Sequence, residues 1–289
     1  MSSEAERIAA VALAEDGESD ITTALTVPTG LAAQGAIEYR SGGVLAGAAY
    51  ADAVGQACEC RIVWRAPDGR QIPPGTTVGT LQGSLGQILR AERPLLNLLQ
   101  RACGIATLTR AYVDAVAGTS AQILHTRKTA PGLRALDIAG VLAGGGHRHR
   151  GDLSHEVMVK DNHWKALTRG EEEGSLSKAL ERARETGISA LYVEVESIEQ
   201  VREACAAGAT RLLVDNQPAD TVREWAALAR SLRPGIEIEA TGGITLENVR
   251  RYAESGADFI SIGALTHSVR AADLGMEVGW GKVGQGGAR

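Results

Sequence analysis

The chain has no surplus of positive charge, no long apolar run, no paired cysteine spacing and no basic leader. Each absence removes a class of function. Its 289 residues carry 30 lysines and arginines against 35 acids, a formal net charge of −5. The surface as a whole therefore offers no general attraction to nucleic acid or to an anionic membrane. No apolar stretch approaches the ~18 residues of a membrane span. The opening "MSSEAERIAAVALAEDGESD" scatters acids through its apolar positions, unlike a secretory signal. The four cysteines, Cys58, Cys60, Cys103 and Cys205, make neither a CxxC pair nor a disulfide scaffold, so a cytoplasmic setting is expected. Cys58 and Cys60, in "CECRIVW", are expected to share one face of a strand and to pack there. No internal repeat and no low-complexity segment is visible.

What is present is enough apolar sequence, 44%, for one large or two ordinary globular domains. A helix is predicted over about Ser3 to Leu13. From about Gly30 to Val78, β-prone runs such as "GAIEYR" and "CECRIVWRA" alternate with the turn signals "SGG", "PDG" and "PPG", which reads as a compact sheet. The following "SLGQILRAERPLLNLLQRACGIATLTRAYVDAVAG" is helical in period, with Pro94 expected to interrupt it and Gly104 expected to act as a joint. The domain boundary is placed there, giving an N-terminal domain over 1–104 and a second over 105–289, whose tail can return to the first.

Beyond Ala121 the runs "QILHTR", "EVMVKD", "LYVEVE", "RLLVDN", "EIEATGG" and "FISIGA" read as strands separated by amphipathic helical segments. Helices of that length serve as right-handed crossovers between parallel strands. Nearly every strand ends in a chemically useful residue, and convergence from many strand ends favours a barrel over an open doubly wound sheet. Six strands make that barrel incomplete.

The cations are concentrated. Between His125 and Lys165 stand seven lysines and arginines against four acids, with five of the six histidines. This stretch is about +3 within a chain of −5, so the remainder carries −8. Arg127 and Arg150 can each grip a carboxylate or phosphate with two parallel hydrogen bonds, and Lys128 adds a compact charge for phosphate oxygens. The Gly144-Gly145-Gly146 run lets backbone pass close to a ligand. The class of ligand indicated is a small polyanion. His147, His149, His155 and His163 raise zinc as a rival, but Arg148 and Arg150 would set cations beside a dication. Lys160 can hold a carboxylate or, if buried, serve as a Schiff-base nucleophile. Glu194 and Asp215, at successive strand ends, can hold ribose hydroxyls or a magnesium ion that grips phosphate. The glycines of "ATGGIT" and "SIGALT" provide turns of the kind that cradle phosphate. At each charged position the alternative is a solvated strand-end side chain.

The segments "HTRKTAPGLRALDIAGVLAGGGHRHR", "VKDNHW", "VEVES", "LLVDNQ" and "EATGGITLENVRRYAESGADFISIGALTHS", with "LAEDGESDITT" and "AERPLLNLLQRACGIATLT" upstream, resemble the nicotinate-nucleotide pyrophosphorylases (carboxylating), or quinolinate phosphoribosyltransferases. The resemblance runs in order over nearly the whole chain. It implies an α/β protein, a partial α/β barrel preceded by an open-faced α+β sheet domain, and a homodimer in which one subunit completes the other's site. It implies transfer of a phosphoribosyl group from phosphoribosyl diphosphate to quinolinate with decarboxylation, in NAD biosynthesis, aided by Mg2+. Position by position, Arg127, His149, Arg150 and Lys160 match the quinolinate clasp, with Arg93 reaching in from the partner. Lys128 matches a residue serving the diphosphoryl donor. Glu194 and Asp215 match the acids at the donor's ribose and magnesium, and Thr241, Gly242, Gly243, Gly263 and Ala264 match the 5′-phosphate cradle.

Some positions depart from the family pattern. His125 stands where Asp is common, Ala130 where Thr is usual and Arg148 where Asn is usual. "GDLSHE" and "EDGESD" are also altered. Three alternatives follow: a paralogue acting on another pyridine or aromatic carboxylate, an aldolase built on Lys160, or a binder of nucleotides or pyridine carboxylates without catalysis. Trp164, just after "KDNH", is open to packing or to ligand contact.

Overall fold

Ser3 starts the first helix with a capping box. Its hydroxyl accepts the Glu6 backbone N–H at 3.2 Å, and the Glu6 carboxylate accepts the Ser3 N–H at 2.7 Å. The computed structural model describes residues 3–167 and 175–280. Its elements begin with α1 Glu4–Glu15, α2 Ile21–Thr26, β1 Ala32–Tyr39, β2 Gly43–Val44, α3 Ala48–Ala57, β3 Arg61–Trp64, β4 Gln71–Ile72, β5 Thr76–Ser84 and α4 Leu85–Ala115. They continue through β6 Gln122–Leu124, α5 Arg134–Ala143, β7 Val157–Val159, α6 Asp161–Leu167, α7 Leu176–Glu185, β8 Leu191–Val195 and α8 Ile198–Ala207. The last are β9 Arg211–Asp215, α9 Ala219–Leu232, β10 Glu237–Thr241, α10 Val249–Ala253, β11 Phe259–Ser261, α11 Ala264–His267 and β12 Leu274–Gly279.

One compact unit gathers the described residues of 1–110, 129–145 and 265–289. Its main sheet is antiparallel in the order β12-β1-β5-β3, so the C-terminal strand returns to pair with β1. Along β1, buried Ala33, Ile37 and Tyr39 point to the core while Gln34 stays exposed, the period of two that a half-buried strand requires. Ile8 of α1, Ala51 and Val54 of α3, Leu95 and Leu99 of α4, and Leu136 of α5 share that core.

Three local expectations are corrected in this unit. The stretch read as sheet between Gly30 and Val78 contains α3, because "AAYADAVGQA" is rich in alanine and buries Tyr50, Ala51 and Val54 along one helical side. Helix α4 runs unbroken through both Pro94 and Gly104. The hydrogen bond that Pro94 removes is offset by burial of Leu95, Leu96 and Leu99. Gly104 is not a joint; it clears space for the backbone of 270–271, with the Ala271 Cα 3.2 Å from where a β-carbon would stand. Cys58 and Cys60 do not share a strand face. Cys58 caps α3, Glu59 turns the chain at φ 54°, and Cys60 leads into β3. Both thiols are buried, which pushes them up, Cys60 to about 11.

The other compact unit gathers the described residues of 111–128 and 146–264. Its sheet is parallel throughout, in the order β6-β11-β10-β9-β8-β7, and contains all six strands expected from the sequence. Among the described residues the edge strands β6 and β7 do not pair with each other, which is an incomplete barrel. A parallel bridge from Leu124 to His147 extends the β6 edge. Helices α8, α9 and α10 lie between successive strands as crossovers, whereas α5, expected in the same role, belongs to the first unit. One face of the sheet is apolar, with Val193, Leu212, Val214, Ile238, Ala240 and Ile260 all buried. The opposite parity carries Tyr192, Glu194, Arg211, Asp215, Glu239 and Thr241, and that polar face positions the site.

Expected outcome: Gly104→Ala destabilises the protein. Alanine gains about 1 kcal/mol of helix propensity, but its methyl would overlap the Arg270 carbonyl oxygen, and overpacking against backbone costs about 1–3 kcal/mol. Urea denaturation measures the net sign.

Candidate active site

The polar face is organised around one enclosed carboxylate. Glu239, on β10, has no exposed surface. An uncompensated charge there would be costly. His149 Nε2 lies 3.1 Å from its Oε2, and Arg211 Nη1 donates to the same oxygen at 3.2 Å. Burial alone would raise the Glu239 pKa, but the hydrogen bond and electrostatic attraction of His149, followed by the Ser261 hydrogen bond and the charge of Arg211, outweigh it, so the carboxyl sits below its ordinary value. Arg211 in turn lies between two rings, 3.9 Å from the centroid of Phe259 and 4.6 Å from that of Tyr192, and donates to Glu237 at 2.8 Å. Strand register explains the grouping, since Tyr192 pairs with Arg211, Arg211 with Glu237 and Glu239 with Phe259.

The anion-seeking residues stand at the strand ends beyond this layer. Arg127 and Lys128 follow β6, Lys160 follows β7, Glu194 lies in β8, and Asp215 and Thr241 close β9 and β10. Lys160 Nζ donates to the Glu194 carboxylate. Trp164 is buried and its indole N–H donates to the Glu194 carbonyl oxygen at 2.8 Å, so it packs and holds that strand. Arg150 is buried at 8% exposure, yet among the described residues its guanidinium makes no ion pair. Burial, then the nearby charge of Arg127, lowers its pKa; as an arginine it remains a cation. The Nε of Arg127 is itself buried with no hydrogen-bond partner among the described residues. Two neighbouring guanidiniums, one with an orphaned donor, have hydrogen-bond capacity that an anion could take up. Arg150 also borders a cavity of about 520 Å³, but the rest of its lining is mostly apolar, with Leu153, Val157, Met158, Leu167 and Ile188, and it contains none of the other predicted site residues.

The expected cradle is a tight backbone turn. Gly242 and Gly243 have φ of 84° and 61°, and a β-carbon on Gly242 would overlap the Asn216 side chain. Asn216, itself at φ 53°, donates from Nδ2 to Asp215 at 2.7 Å and from its backbone to the Thr241 carbonyl at 2.9 Å. Gly263 and Ala264 follow β11, whose Ser261 pairs with Thr241, so both glycine turns leave adjacent strands at the same end. Arg93 lies exposed on α4 in the other compact unit.

The histidines are dispersed. His147 is exposed, His155 pairs with Asp152 at 3.1 Å, and His163 Nδ1 accepts the Lys160 N–H at 2.9 Å. Among the described residues no three His, Cys, Asp or Glu side chains converge as metal ligands. Glu194 and Asp215 supply hard oxygen ligands on adjacent strands, which fits magnesium, an ion that takes one or two carboxylates and completes its shell with water and substrate phosphate. Reading from sequence missed Glu239, Arg211 and Tyr192. The signal was present as alternation in "LYVEV" and "EIEAT", where a polar side chain recurs at every second residue, and in "RLLVD", whose two polar ends share one parity with Leu213 between them.

Residues 20–103 match the pattern of the quinolinate phosphoribosyl transferase N-terminal domain, and residues 105–277 match that of its C-terminal domain. The chain belongs to the quinolinate phosphoribosyl transferase family. It is 40% identical to the nicotinate-nucleotide pyrophosphorylase (carboxylating) of Mycobacterium leprae over 90% of this chain and 91% of that one. It is 36% identical to the enzyme of the same name from Homo sapiens over 85% and 82% of the two chains. Its fold is similar to that of the nicotinate-nucleotide pyrophosphorylase from Francisella tularensis, with a TM-score of 0.87, 29% identity and 96% of each chain covered. This member of the transferase family carries His125 at a buried position, 1% exposed.

Expected outcome: Arg211→Met leaves Glu239 buried without its cation and costs about 3–5 kcal/mol at neutral pH. Because the folded pKa of Glu239 lies below its ordinary 4.5, its contribution is present above that value and is lost as pH falls through the folded one. The gap between wild type and variant in urea denaturation should therefore narrow on acidification.

Proposed function

We propose that this chain transfers the phosphoribosyl group of phosphoribosyl diphosphate to the ring nitrogen of quinolinate, releasing diphosphate and CO2 and leaving nicotinate mononucleotide. The observation that carries this reading is the pair of guanidiniums, Arg127 and Arg150, held within mutual electrostatic reach and without an ion pair among the described residues, the Nε of Arg127 buried and unbonded there. A dianionic ring supplies the two carboxylates that such a pair lacks. Lys160 is engaged by Glu194, whose charge also reaches Arg150, and His149 directly precedes Arg150.

With the acceptor held, its ring-nitrogen lone pair forms the new bond to the anomeric carbon while the bond to diphosphate breaks and its electron pair leaves with the diphosphate. Positioning converts a two-body encounter into an oriented one. Glu194 and Asp215 face the sugar, where their charge favours a cation-like anomeric centre. Lys128 offsets charge growing on the leaving diphosphate, and the turns at Thr241–Gly243 and Gly263–Ala264 seat the 5′-phosphate. Mg2+, held by Glu194 and Asp215 with waters and substrate oxygens, would neutralise further diphosphate charge. The bond from the ring to the 2-carboxylate then breaks. Its electron pair stays at the ring carbon beside the quaternised nitrogen until a proton is taken up. No covalent enzyme intermediate is required. The Lys160–Glu194 contact speaks against a Schiff-base role, since the ammonium must lose its proton before attacking a carbonyl.

The protein acts as a homodimer with shared sites, in the cytoplasm, on small molecules and not on nucleic acid or membranes. Supporting a second copy, Ile21 and Leu25 of α2 are 71% and 85% exposed, and Leu89, one helical turn from Arg93 on α4, is 37% exposed. The four cysteines are unpaired, as a reducing compartment favours. No described helix is long and apolar enough to cross a membrane.

Purified protein with magnesium, phosphoribosyl diphosphate and quinolinate is expected to release one diphosphate per CO2 and to leave nicotinate unused as acceptor. Turnover of nicotinate or of another pyridine carboxylate in preference would reassign the acceptor. Arg127→Ala should raise the quinolinate KM by roughly 30-fold, as expected for about 2 kcal/mol at a buried charged contact, with the donor KM little changed. At low quinolinate, mixing Arg127→Ala with Arg93→Ala subunits should restore about one quarter of wild-type activity, because each mixed dimer rebuilds one intact site. Absence of rescue after subunit exchange contradicts a shared site.

A further inference from the structure

His149 has both ring nitrogens committed inside the protein. Its Nδ1 accepts the backbone N–H of Arg150 at 2.6 Å, and its Nε2 lies 3.2 Å and 3.1 Å from the two oxygens of Glu239. A backbone N–H only donates, and the Glu239 carboxylate, already taking a bond from Arg211, accepts. Hydrogen-bond matching therefore assigns His149 the neutral form with its proton on Nε2. His149 leaves no N–H facing outward for a substrate carboxylate, and its side chain is only 7% exposed.

A second imidazole completes the arrangement. The backbone N–H of His149 donates to His125 Nε2 at 3.1 Å, and His125 Nδ1 lies 3.2 Å from the Thr126 carbonyl oxygen. A carbonyl only accepts, so His125 carries its proton on Nδ1 and is also neutral. The contact occupies a definite place in the ladder. The N–H of His147 bonds the Ile123 carbonyl at 2.8 Å, and the next rung of a parallel ladder would join the N–H of His149 to the backbone carbonyl of residue 125. The His125 side chain makes that rung instead. It ties the segment bearing Arg127, two residues on, to the segment bearing Arg150, the next residue after His149.

We propose that His125 and His149 form a neutral two-imidazole brace, anchored on Glu239, that aims Arg127 and Arg150 at the acceptor's carboxylates, so that His149 is a positioning residue and not a ligand of those carboxylates. This rests on the reading of the acceptor as an aromatic dicarboxylate. The brace supplies rigidity without charge: a carboxylate at residue 125 could also accept the His149 N–H, but would place a negative charge between the two arginines and weaken their hold on a dianion.

The direct test is long-range 1H–15N NMR of histidine-labelled full-length protein, free and with quinolinate, with His125→Asn and His149→Asn used to assign the two rings. Expected are two neutral rings, His125 protonated on Nδ1 and His149 on Nε2, unchanged when quinolinate binds. A His149 ring that becomes doubly protonated, or whose proton leaves Nε2 on binding, overturns the proposal. Calorimetry on the same samples reports whether quinolinate binds at all. If it does not, the acceptor reading fails while the tautomers of the free protein still judge the brace. Kinetics provide a second arm. His125→Leu removes the rung and should raise the quinolinate KM on the order of tenfold, with the donor KM unchanged, whereas His125→Asn, which keeps an acceptor, should recover most of the loss. Equal effects of Leu and Asn, or equal changes in both KM values, contradict a positioning role.

Discussion

Enclosing Glu239 on the inner face of a parallel sheet is a demand that the surrounding sequence has to meet. A carboxylate with no exposed surface survives only with partners, and removal of one partner leaves a charge that neither water nor protein compensates. Arg211 supplies the counter-charge and is itself fixed by Tyr192, Phe259 and Glu237. That layer spans four adjacent strands. Glu239 also takes His149, which contacts both of its oxygens and directly precedes Arg150 in the chain.

The same parity governs the chemistry above. Residues two steps further along each strand face the same way, so the ends of β7, β8, β9 and β10 present Lys160, Glu194, Asp215 and Thr241 together. Their charges divide the space. Arg127 and Arg150 form a cationic end, within electrostatic reach of Glu156, Glu194 and Glu239 but without an ion pair among the described residues, while Glu194 and Asp215 stand beside two glycine turns. A dianionic ring and an activated sugar phosphate are complementary to those two ends, and the reaction brings the ring nitrogen of the first to the anomeric carbon of the second.

Much of this was legible in the sequence, for identifiable reasons. The six barrel strands announce themselves because short β-branched runs alternate with amphipathic helices, and the strand-end residues announce themselves because charge is rare beside such runs. Helix α3 was hidden by turn signals on either side of an alanine-rich stretch. Gly104 misled because a glycine in a helix reads as a break, whereas here it answers a backbone from residue 270, far along the chain. Glu239 and Arg211 were visible as period-two polarity but carried no motif. The His125–His149 contact joins residues 24 positions apart through a side chain replacing a backbone rung, which no local pattern encodes. Arg93 was placed by resemblance alone.

The central claim is that the two neighbouring guanidiniums at the end of this sheet, without an ion pair among the described residues, hold the two carboxylates of the acceptor. A crystal structure of the protein with quinolinate tests it most directly. The account predicts both carboxylates within hydrogen-bond distance of Arg127 and Arg150, the Nε of Arg127 satisfied by one of them, and the His149 ring still bonded to Glu239. A ring bound elsewhere, or carboxylates held by His149 with the arginines turned away, would contradict it.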